Sequence, residues 1–330
     1  MADVTKTIAL TGGTGFLGSH IAESLIAEGH SVRIAVRTTS DLQWLASHSY
    51  DIVVVNLSDH QECENFLRGT TDVVHCAGVV SGPDEATYIR GNVETTENLL
   101  AAAHAVWGDD PDHTFAFVSS LAAHGPATLA NPAIESNPCH PITAYGRSKL
   151  AAEEKVTTAP GAFRRVILRP PSLYGPRDRE FLPLLSSARK GWTARLGDKI
   201  SGLSLVDGRD AAAAVLALLR TPAAEGIYFV SDQQVGYDWD QIQSALAKAA
   251  QRKVRRVTLP LFLLKIASRI NAISGNPWLI LSSDRVLDLS SPGWVCDGSR
   301  LTRDTGFVAT RGAAQGFAET IGFYRNQGWL

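Results

Sequence analysis

The sequence predicts an α/β fold, a doubly wound parallel sheet followed by a smaller, mostly helical C-terminal lobe. Two observations support this fold class. Short apolar runs alternate with helical segments over the first half of the chain, as expected for strands covered on both faces by helices. The alternation becomes irregular after Pro170 and Pro171. We therefore expect a first domain over residues 1–171 and a substrate-binding lobe over 172–330, with some elements of the lobe returning to the sheet.

The elements follow one another along the chain at the spacing that βαβ units require. The apolar runs predict strands at 8–10, 31–37, 52–57, 72–77, 114–119 and 166–169. Helical periodicity predicts a first helix ending near Gly29 and further helices at 84–106 and 145–158. In the lobe, helices are expected at 181–190, 207–220, 239–251, 261–271 and 311–326, with short strands at 226–230 and 255–259.

A glycine-rich turn joins the first strand to the first helix. It consists of Thr11, Gly12, Gly13, Thr14, Gly15, Phe16, Leu17 and Gly18. Glycine permits a tight turn and close approach of a pyrophosphate to the backbone, and the helix N-terminus supplies free N–H groups. Strand, glycine turn and helix together predict a dinucleotide-binding site, which is the hallmark of a Rossmann fold.

The end of the second predicted strand indicates which dinucleotide is bound. A carboxylate at this position would accept a hydrogen bond from the ribose 2′-hydroxyl of NAD, whereas an arginine suits the 2′-phosphate of NADP. Arg37 occupies the position, and residues 31–40 contain no Asp or Glu. Arg33 lies on the same strand face and could add charge. The sequence therefore favours NADP(H).

A tyrosine and a lysine are placed for proton transfer. Tyr145 and Lys149 are four residues apart on a predicted helix and so share one face. The pKa of a free phenol is about 10, and a neighbouring ammonium group lowers it and can also hold a ribose hydroxyl. Ser119 and Ser120 close the fifth predicted strand between the glycine turn and this pair.

With these motifs in order, the chain resembles the extended branch of the short-chain dehydrogenase/reductase superfamily. The resemblance covers nearly the whole length and rests on the segments 11–18, 75–78, 91–100, 117–120, 145–149 and 168–176. It implies that Tyr145 is the catalytic acid/base, with Lys149 as its partner. It also implies that Ser120 orients the substrate oxygen and that Asn92 supports the active-site helix. Ser120 is preferred to Ser119 because it lies five residues before Gly125, where relatives often end a Val-Tyr-Gly segment.

The same resemblance implies contacts with the cofactor. Ala77 and Gly78 correspond to the backbone beside a ribose, and Pro170 and Ser172 to the loop beside the nicotinamide. Asn56 and Leu57 stand where relatives often have Asp-Leu against the adenine.

The C-terminal half is most similar to the 3-beta-hydroxysteroid dehydrogenase and sterol-4-carboxylate dehydrogenase group. The matching segments are 183–191, 203–210, 294–297 and 319–330, in which Asp210 is expected to pin a helix rather than to touch substrate. The strongly apolar stretch 259–281 is interpreted either as a core-facing helix or as the mouth of a site for a lipophilic substrate, resting on a membrane surface.

Three functions remain open from the sequence. The first is an NADPH-dependent carbonyl reductase, or the reverse dehydrogenase, acting on a bulky apolar ketone or alcohol of steroid, sterol or similar kind. The second is a nucleotide-sugar epimerase or dehydratase, whose diphosphate would need positive side chains such as Arg177, Arg179, Arg189, Lys190, Arg195 and Arg209. Against a dehydratase, Ser120 is followed by Leu121 rather than by an Asp-Glu pair. The third is a catalytically silent NADP-binding protein, which the intact Ser-Tyr-Lys set argues against.

Composition excludes several other classes. The formal net charge of −2 gives no reason to expect nucleic acid, and the basic run 252–256 is typical of a solvated face. Four scattered cysteines predict free thiols, a reducing compartment and no metal site. We expect neither a signal peptide nor a membrane-spanning helix, since a strand is predicted almost at the first residue and no apolar run reaches spanning length. We expect a cytoplasmic enzyme, with peripheral membrane contact and a homodimer as open alternatives.

Overall fold

A seven-stranded parallel sheet organises the protein. The structure is a computed structural model that describes residues 5–196, 201–259 and 283–330. The strands of the sheet are β1 Thr7–Thr11, β2 Ser31–Val36, β3 Asp51–Val54, β4 Asp72–His75, β5 Thr114–Val118, β6 Arg164–Arg169 and β10 Gly226–Phe229. Their order is β10-β6-β5-β4-β1-β2-β3, and every neighbouring pair is parallel.

The chain reverses its direction of winding between β1 and β4. It runs outward through β2 and β3, then returns to the other side of β1 to continue with β4, β5 and β6. In open α/β sheets, ligands bind at the carboxyl ends of the strands beside such a reversal. The glycine turn follows β1 directly and therefore lies at this place.

Helices cover both faces of the sheet. They are α1 Phe16–Ala27, α2 His60–Leu67, α3 Glu85–Tyr88, α4 Thr95–Trp107, α5 Leu121–His124, α6 Ala144–Thr158 and α8 Gly208–Arg220. Ile21 of α1 and Val215 of α8 belong to the apolar core on one face. Phe66 of α2, Leu99 of α4 and Val156 of α6 belong to the core on the other face. The strands at the centre read as continuous apolar runs because both faces are buried.

The lobe has its own core and two small parallel sheets. Its remaining elements are β7 Ser172–Tyr174, α7 Leu182–Arg189, β8 Trp192–Leu196, β9 Leu205–Asp207, α9 Trp239–Ala250, β11 Arg255–Leu259, α10 Ser283–Ser290, α11 Ser299–Thr305 and α12 Ala313–Asn326. Strand β7 pairs with β9, and β8 pairs with β11. Tyr174, Leu246 and Phe317 are buried together at the centre of the lobe. Strand β10 lies in the second half of the sequence but joins the main sheet next to β6.

The elements differ from the predictions in three ways. The predicted strand 52–57 ends at Val54 and is not buried, because β3 is an edge strand with Ile52 41% and Val54 58% exposed. The predicted helix 84–106 is present as a continuous helical segment, Glu85–Trp107, but its part Ile89–Glu94 is π-helical. Strands β7, β8 and β9 were missed because three to five residues of mixed polarity carry too little periodicity. The predicted helix 261–271 lies outside the described residues, as does the apolar stretch beyond Leu259.

Asp210 has the structural role expected of it. It lies in the first turn of α8 and is buried. Its carboxylate accepts hydrogen bonds from Thr310 and from Arg311. These hydrogen bonds join α8 to the segment before α12.

Two further features concern the described part of the chain as a whole. Among these residues, no helix has the length and hydropathy needed to cross a membrane. Nor do residues 5–196, 201–259 and 283–330 bring three His, Cys, Asp or Glu side chains together in a way that could hold a metal ion.

Candidate active site

The glycine turn is built so closely that Gly12, Gly13 and Gly18 have no room for side chains. Gly12 has φ +73°, and a Cβ there would lie 2.7 Å from the backbone nitrogen of Ala77. A Cβ on Gly18 would lie 2.1 Å from the carbonyl oxygen of Gly12. A Cβ on Gly13 would lie 2.7 Å from the side chain of Ile34. The turn therefore packs against β2 and the end of β4, leaving its outer side open to a ligand.

The N-terminus of α1 suits an anion. Gly15 is the N-cap residue and gives no side-chain cap, and the first turn holds no acidic side chain. Gly15 itself is exposed, so the N–H groups of the first turn meet no competing carboxylate of their own helix. This cradle fits the pyrophosphate of a dinucleotide.

The side chains of Phe16 and Leu17 pack within the protein at the first turn of this helix. Leu17 is buried in the apolar core. The Phe16 ring lies against Gly208 at the start of α8, where a Cβ would come within 2.6 Å of it.

Arg37 is the first residue after β2 and is exposed. It begins a tight turn in which the backbone nitrogen of Ser40 donates to the Arg37 carbonyl at 3.0 Å. The Ser40 hydroxyl in turn accepts a hydrogen bond from the Arg37 backbone nitrogen. Arg33 is used differently, because its guanidinium pairs with Asp51 at 2.6 Å and donates to the carbonyl of Phe66. Of these two arginines, Arg37 is therefore the exposed one, whereas the guanidinium of Arg33 is engaged within the protein.

A buried hydrogen-bond chain connects the glycine turn with Asn92. The Thr96 hydroxyl donates to the Asn92 carbonyl at 2.6 Å, so it accepts from Nε2 of His75 at 2.9 Å. Nδ1 of His75 then accepts from the hydroxyl of Thr11, which itself accepts from the backbone nitrogen of Ala77. Burial lowers the pKa of His75 to about 3, so the imidazole is neutral and has the Nε2–H tautomer.

Asn92 braces the start of the helix that carries Tyr145. Its side-chain nitrogen donates to the Ser148 hydroxyl at 2.9 Å, and that hydroxyl donates to the Tyr145 carbonyl at 2.7 Å. The Asn92 side-chain oxygen accepts from the backbone nitrogen of Val79 at 2.7 Å. Asn92 lies in the π-helical segment, a conformation frequent at functional sites.

The structure brings Ser120 to Tyr145. Ser120 is the N-cap of α5, and its hydroxyl is hydrogen-bonded to the phenol of Tyr145. Burial nevertheless raises the pKa of Tyr145 to about 12, and the carboxylates of Glu180 and Asp288 act in the same direction. The phenol is therefore protonated at neutral pH and can act as an acid.

Lys149 lies one turn further along the same face of α6. Its ammonium donates to the carbonyl of Val118 at 2.7 Å and lies 4.3 Å from the centre of the Phe117 ring. Burial lowers the pKa of Lys149 to about 8. The prediction that this ammonium lowers the pKa of Tyr145 is not met here, because burial outweighs the other influences on the phenol.

Ser119 is occupied elsewhere. Its hydroxyl donates to the carboxylate of Glu153, which also receives two hydrogen bonds from the guanidinium of Arg169, at 2.9 and 2.5 Å. Arg169 and Glu153 are both almost fully buried. This group binds α6 to the ends of β5 and β6, and it leaves Ser120 as the serine that reaches the tyrosine.

The remaining predicted cofactor residues surround this centre. Gly78 is exposed, and a Cβ there would lie 3.8 Å from the Lys149 ammonium, so the backbone at Ala77 and Gly78 passes next to the lysine. The Pro170 carbonyl accepts from the backbone nitrogen of Leu121, directly after Ser120, and Ser172 begins β7.

Asn56 and Leu57 lie in the turn after β3, not in the strand as predicted. The Asn56 side-chain oxygen accepts from the backbone nitrogen of Ser58 at 3.1 Å. The group of this side chain that could contact an adenine is therefore its NH2. The Leu57 carbonyl accepts from the side chain of Asn98 at 3.2 Å, and its side chain packs against the core.

Three of the arginines considered for a diphosphate are already engaged. Arg177 pairs with Glu23 at 2.5 Å, Arg179 lies 4.1 Å from the centre of the Trp329 ring, and Arg209 pairs with Asp207 and Glu319, both at 2.7 Å. These three arginines are thus engaged in contacts with the first domain or within the lobe.

Sequence reasoning missed the supporting residues. Glu153 lies eight residues after Tyr145 and therefore on the same helix face, which is a signal that could have identified it. His75 and Thr96 carried no local signal, because their hydrogen bonds join β4 to a helix that follows it.

Comparison with known proteins agrees with this geometry. Residues 8–230 match the NAD dependent epimerase/dehydratase family. A ceramide reductase of Caulobacter vibrioides is 28% identical over 333 residues, covering 99% of this chain and 97% of that protein. A decarboxylating sterol-4-alpha-carboxylate 3-dehydrogenase of Dictyostelium discoideum is 26% identical over 235 residues, covering 69% and 71%.

The fold also matches a solved structure. A UDP-glucose 4-epimerase of Thermus thermophilus, in complex with NAD, superposes with a TM-score of 0.76 at 23% identity, covering 97% of this chain and 99% of that one. The family match spans more than half of the chain and includes the glycine turn and Ser120, Tyr145 and Lys149. The protein is a member of the NAD-dependent epimerase/dehydratase family, within the extended short-chain dehydrogenases/reductases.

Proposed function

We propose that this protein is an NADP(H)-dependent oxidoreductase that interconverts a ketone and a secondary alcohol on a bulky, apolar, steroid-like or lipid-like substrate. The observation that carries the proposal is the hydrogen bond between Ser120 and the phenol of Tyr145, with the buried Lys149 one turn further along the same helix. A carbonyl oxygen placed between the two hydroxyls would have a proton donor and a second hydrogen-bond donor at once.

Separate residues would bind the cofactor and act on the substrate oxygen. The glycine turn and the N-terminus of α1 would hold the pyrophosphate, and Arg37 the 2′-phosphate. The bound nicotinamide would supply or accept the hydride. Tyr145 would protonate the substrate oxygen, and Ser120 would stabilise the negative charge that develops there. Because burial keeps Tyr145 protonated, its resting form suits reduction.

Two observations favour an apolar substrate over a nucleotide sugar. Glu180 and Asp288 place negative charge near Tyr145, which would oppose an approaching diphosphate. The arginines Arg177 and Arg209, which could offset that charge, are held in ion pairs. The relatives named as a ceramide reductase and a sterol dehydrogenase point in the same direction.

Substrate preference tests the proposal. In a series of ketones from small to polycyclic or long-chain, KM should fall as apolar surface increases, because buried apolar surface contributes about 25 cal/mol per Å². UDP- and dTDP-sugars serve as the comparison set. Saturable turnover of a nucleotide sugar with all ketones inert would favour the epimerase alternative. That alternative is included because a UDP-glucose 4-epimerase has the same fold.

Cofactor preference has a separate test. NADPH should bind much more tightly than NADH, and Arg37→Ala should remove most of the difference. A charge-assisted contact is worth about 1.5–3 kcal/mol, which is roughly ten- to hundredfold in Kd. Arg33→Ala is the matched control, since Arg33 is paired with Asp51 and should leave the ratio of the two Kd values unchanged. Equal affinities for NADPH and NADH in the unaltered protein would contradict the assignment.

A further inference from the structure

The lobe brings exposed basic side chains from three elements together. Arg252, Lys253, Arg255 and Arg256 are exposed at the start of β11, and Lys248 is exposed near the end of α9. We call these five residues, together with Lys190 and Trp192, the β8–β11 surface.

Specific contacts join the parts of this surface. The Arg252 guanidinium donates to the Arg189 carbonyl at 2.6 Å, beside Lys190. The Arg255 backbone nitrogen donates to the carbonyl of Gly191 at 2.9 Å, next to Trp192. A run of charges that looked like an ordinary solvated face in the sequence is therefore part of a larger basic surface.

Little negative charge opposes these groups. Asp240 is paired with Arg256 at 2.7 Å. The sequence from Gln241 to Leu259 contains no Asp or Glu, although it contains five Lys and Arg. The whole chain has a formal net charge of −2, so the β8–β11 surface is positively charged although the protein is slightly negative.

Apolar and aromatic groups are exposed among the charges. In the parallel pair β8–β11, Arg255 is opposite Trp192, and Val257 is opposite Ala194. Side chains at paired and alternate positions project to the same face of a sheet. Trp192 is 45% exposed and Val257 44% exposed, so a tryptophan, a valine and an arginine share one accessible face.

We propose that the β8–β11 surface docks on a membrane that contains anionic phospholipids. Basic side chains are attracted to an anionic leaflet, and tryptophan is favoured at the level of the headgroups. A nucleic acid would use the same charges but would gain nothing from the exposed Val257. The occupant that uses both the charges and the apolar groups is a lipid surface, which would also be the source of a lipid-like substrate.

Vesicle binding tests the inference. The full-length protein should co-sediment with phosphatidylcholine vesicles that contain phosphatidylglycerol much more than with pure phosphatidylcholine, and high salt should abolish the difference. The triple variant Lys248→Gln, Lys253→Gln and Arg255→Gln should bind the anionic vesicles roughly 100-fold more weakly, at about fivefold per basic residue. Trp192→Ser should weaken binding without changing its dependence on salt.

A matched variant controls for net charge. Arg68→Gln, Lys155→Gln and Arg303→Gln remove the same charge from exposed positions outside the β8–β11 surface and should leave vesicle binding within about twofold. Equal loss in both triple variants, equal binding to neutral and anionic vesicles, or tighter binding to duplex DNA than to anionic vesicles would overturn the inference. Turnover of a water-soluble ketone is measured alongside, so failure of membrane docking and failure of the reductase assignment are distinguished.

Discussion

Tyr145→Phe is expected to lower turnover by at least two orders of magnitude while cofactor binding stays nearly unchanged. The substitution keeps the ring, which lies 6.2 Å from that of Tyr88 between ring centres, and deletes the hydroxyl that carries the transferable proton. A positioned acid contributes about 10²- to 10⁴-fold to a rate. Steady-state turnover of a ketone with NADPH measures the loss.

Binding measurements separate chemistry from folding in this variant. The Kd for NADPH and the thermal unfolding midpoint should both remain close to those of the unaltered protein, because the phenol's neighbours are left in place. Ketone reduction at the normal rate by Tyr145→Phe would show that another group supplies the proton.

Ser120→Ala is expected to lower turnover by about 10²-fold, as loss of one preorganised donor to a developing oxyanion does elsewhere. Its hydroxyl is the one bonded to Tyr145, and it also accepts from the backbone nitrogen of Ala122 at 3.1 Å. Ser119, which precedes Ser120 at the end of β5, provides the matched control.

Ser119→Ala should lower the free energy of unfolding and have little effect on turnover. It removes one donor from the buried carboxylate of Glu153, which costs about 1–3 kcal/mol of unfolding free energy, while turnover falls little. Unfolding in denaturant and ketone turnover are measured for both variants. If Ser119→Ala lost turnover and Ser120→Ala did not, the roles assigned to the two serines would be reversed.

Much of the fold could be predicted because its signals are local. The strand, glycine turn and helix at 8–29 occur in one continuous segment, and so does the Tyr145–Lys149 pair. Central strands such as β5 read as unbroken apolar runs because both faces are buried. The edge strand β3 has a similar composition but is exposed, and composition alone does not reveal that a strand has only one neighbour.

The supporting interactions of the site could not be predicted, because they depend on tertiary contacts. Ser119 and Ser120 are adjacent in the sequence, yet one serves a buried ion pair and the other reaches Tyr145. The influence of Lys149 was also misjudged, since helical spacing shows that two residues share a face but not how strongly burial opposes a phenolate. Similarly, the sequence did not reveal that Arg177 and Arg209 are neutralised by Glu23, Asp207 and Glu319.

The destination of the hydride is the most direct test of the central claim. NADPH carrying deuterium at the transferable position of the nicotinamide is incubated with the protein and a polycyclic or long-chain ketone, and the product alcohol is analysed by mass spectrometry. We expect one deuterium on the carbinol carbon, equimolar consumption of NADPH, and loss of both in Tyr145→Phe. Epimerisation of a UDP-sugar without net consumption of NADPH, and with no labelled alcohol, would contradict it.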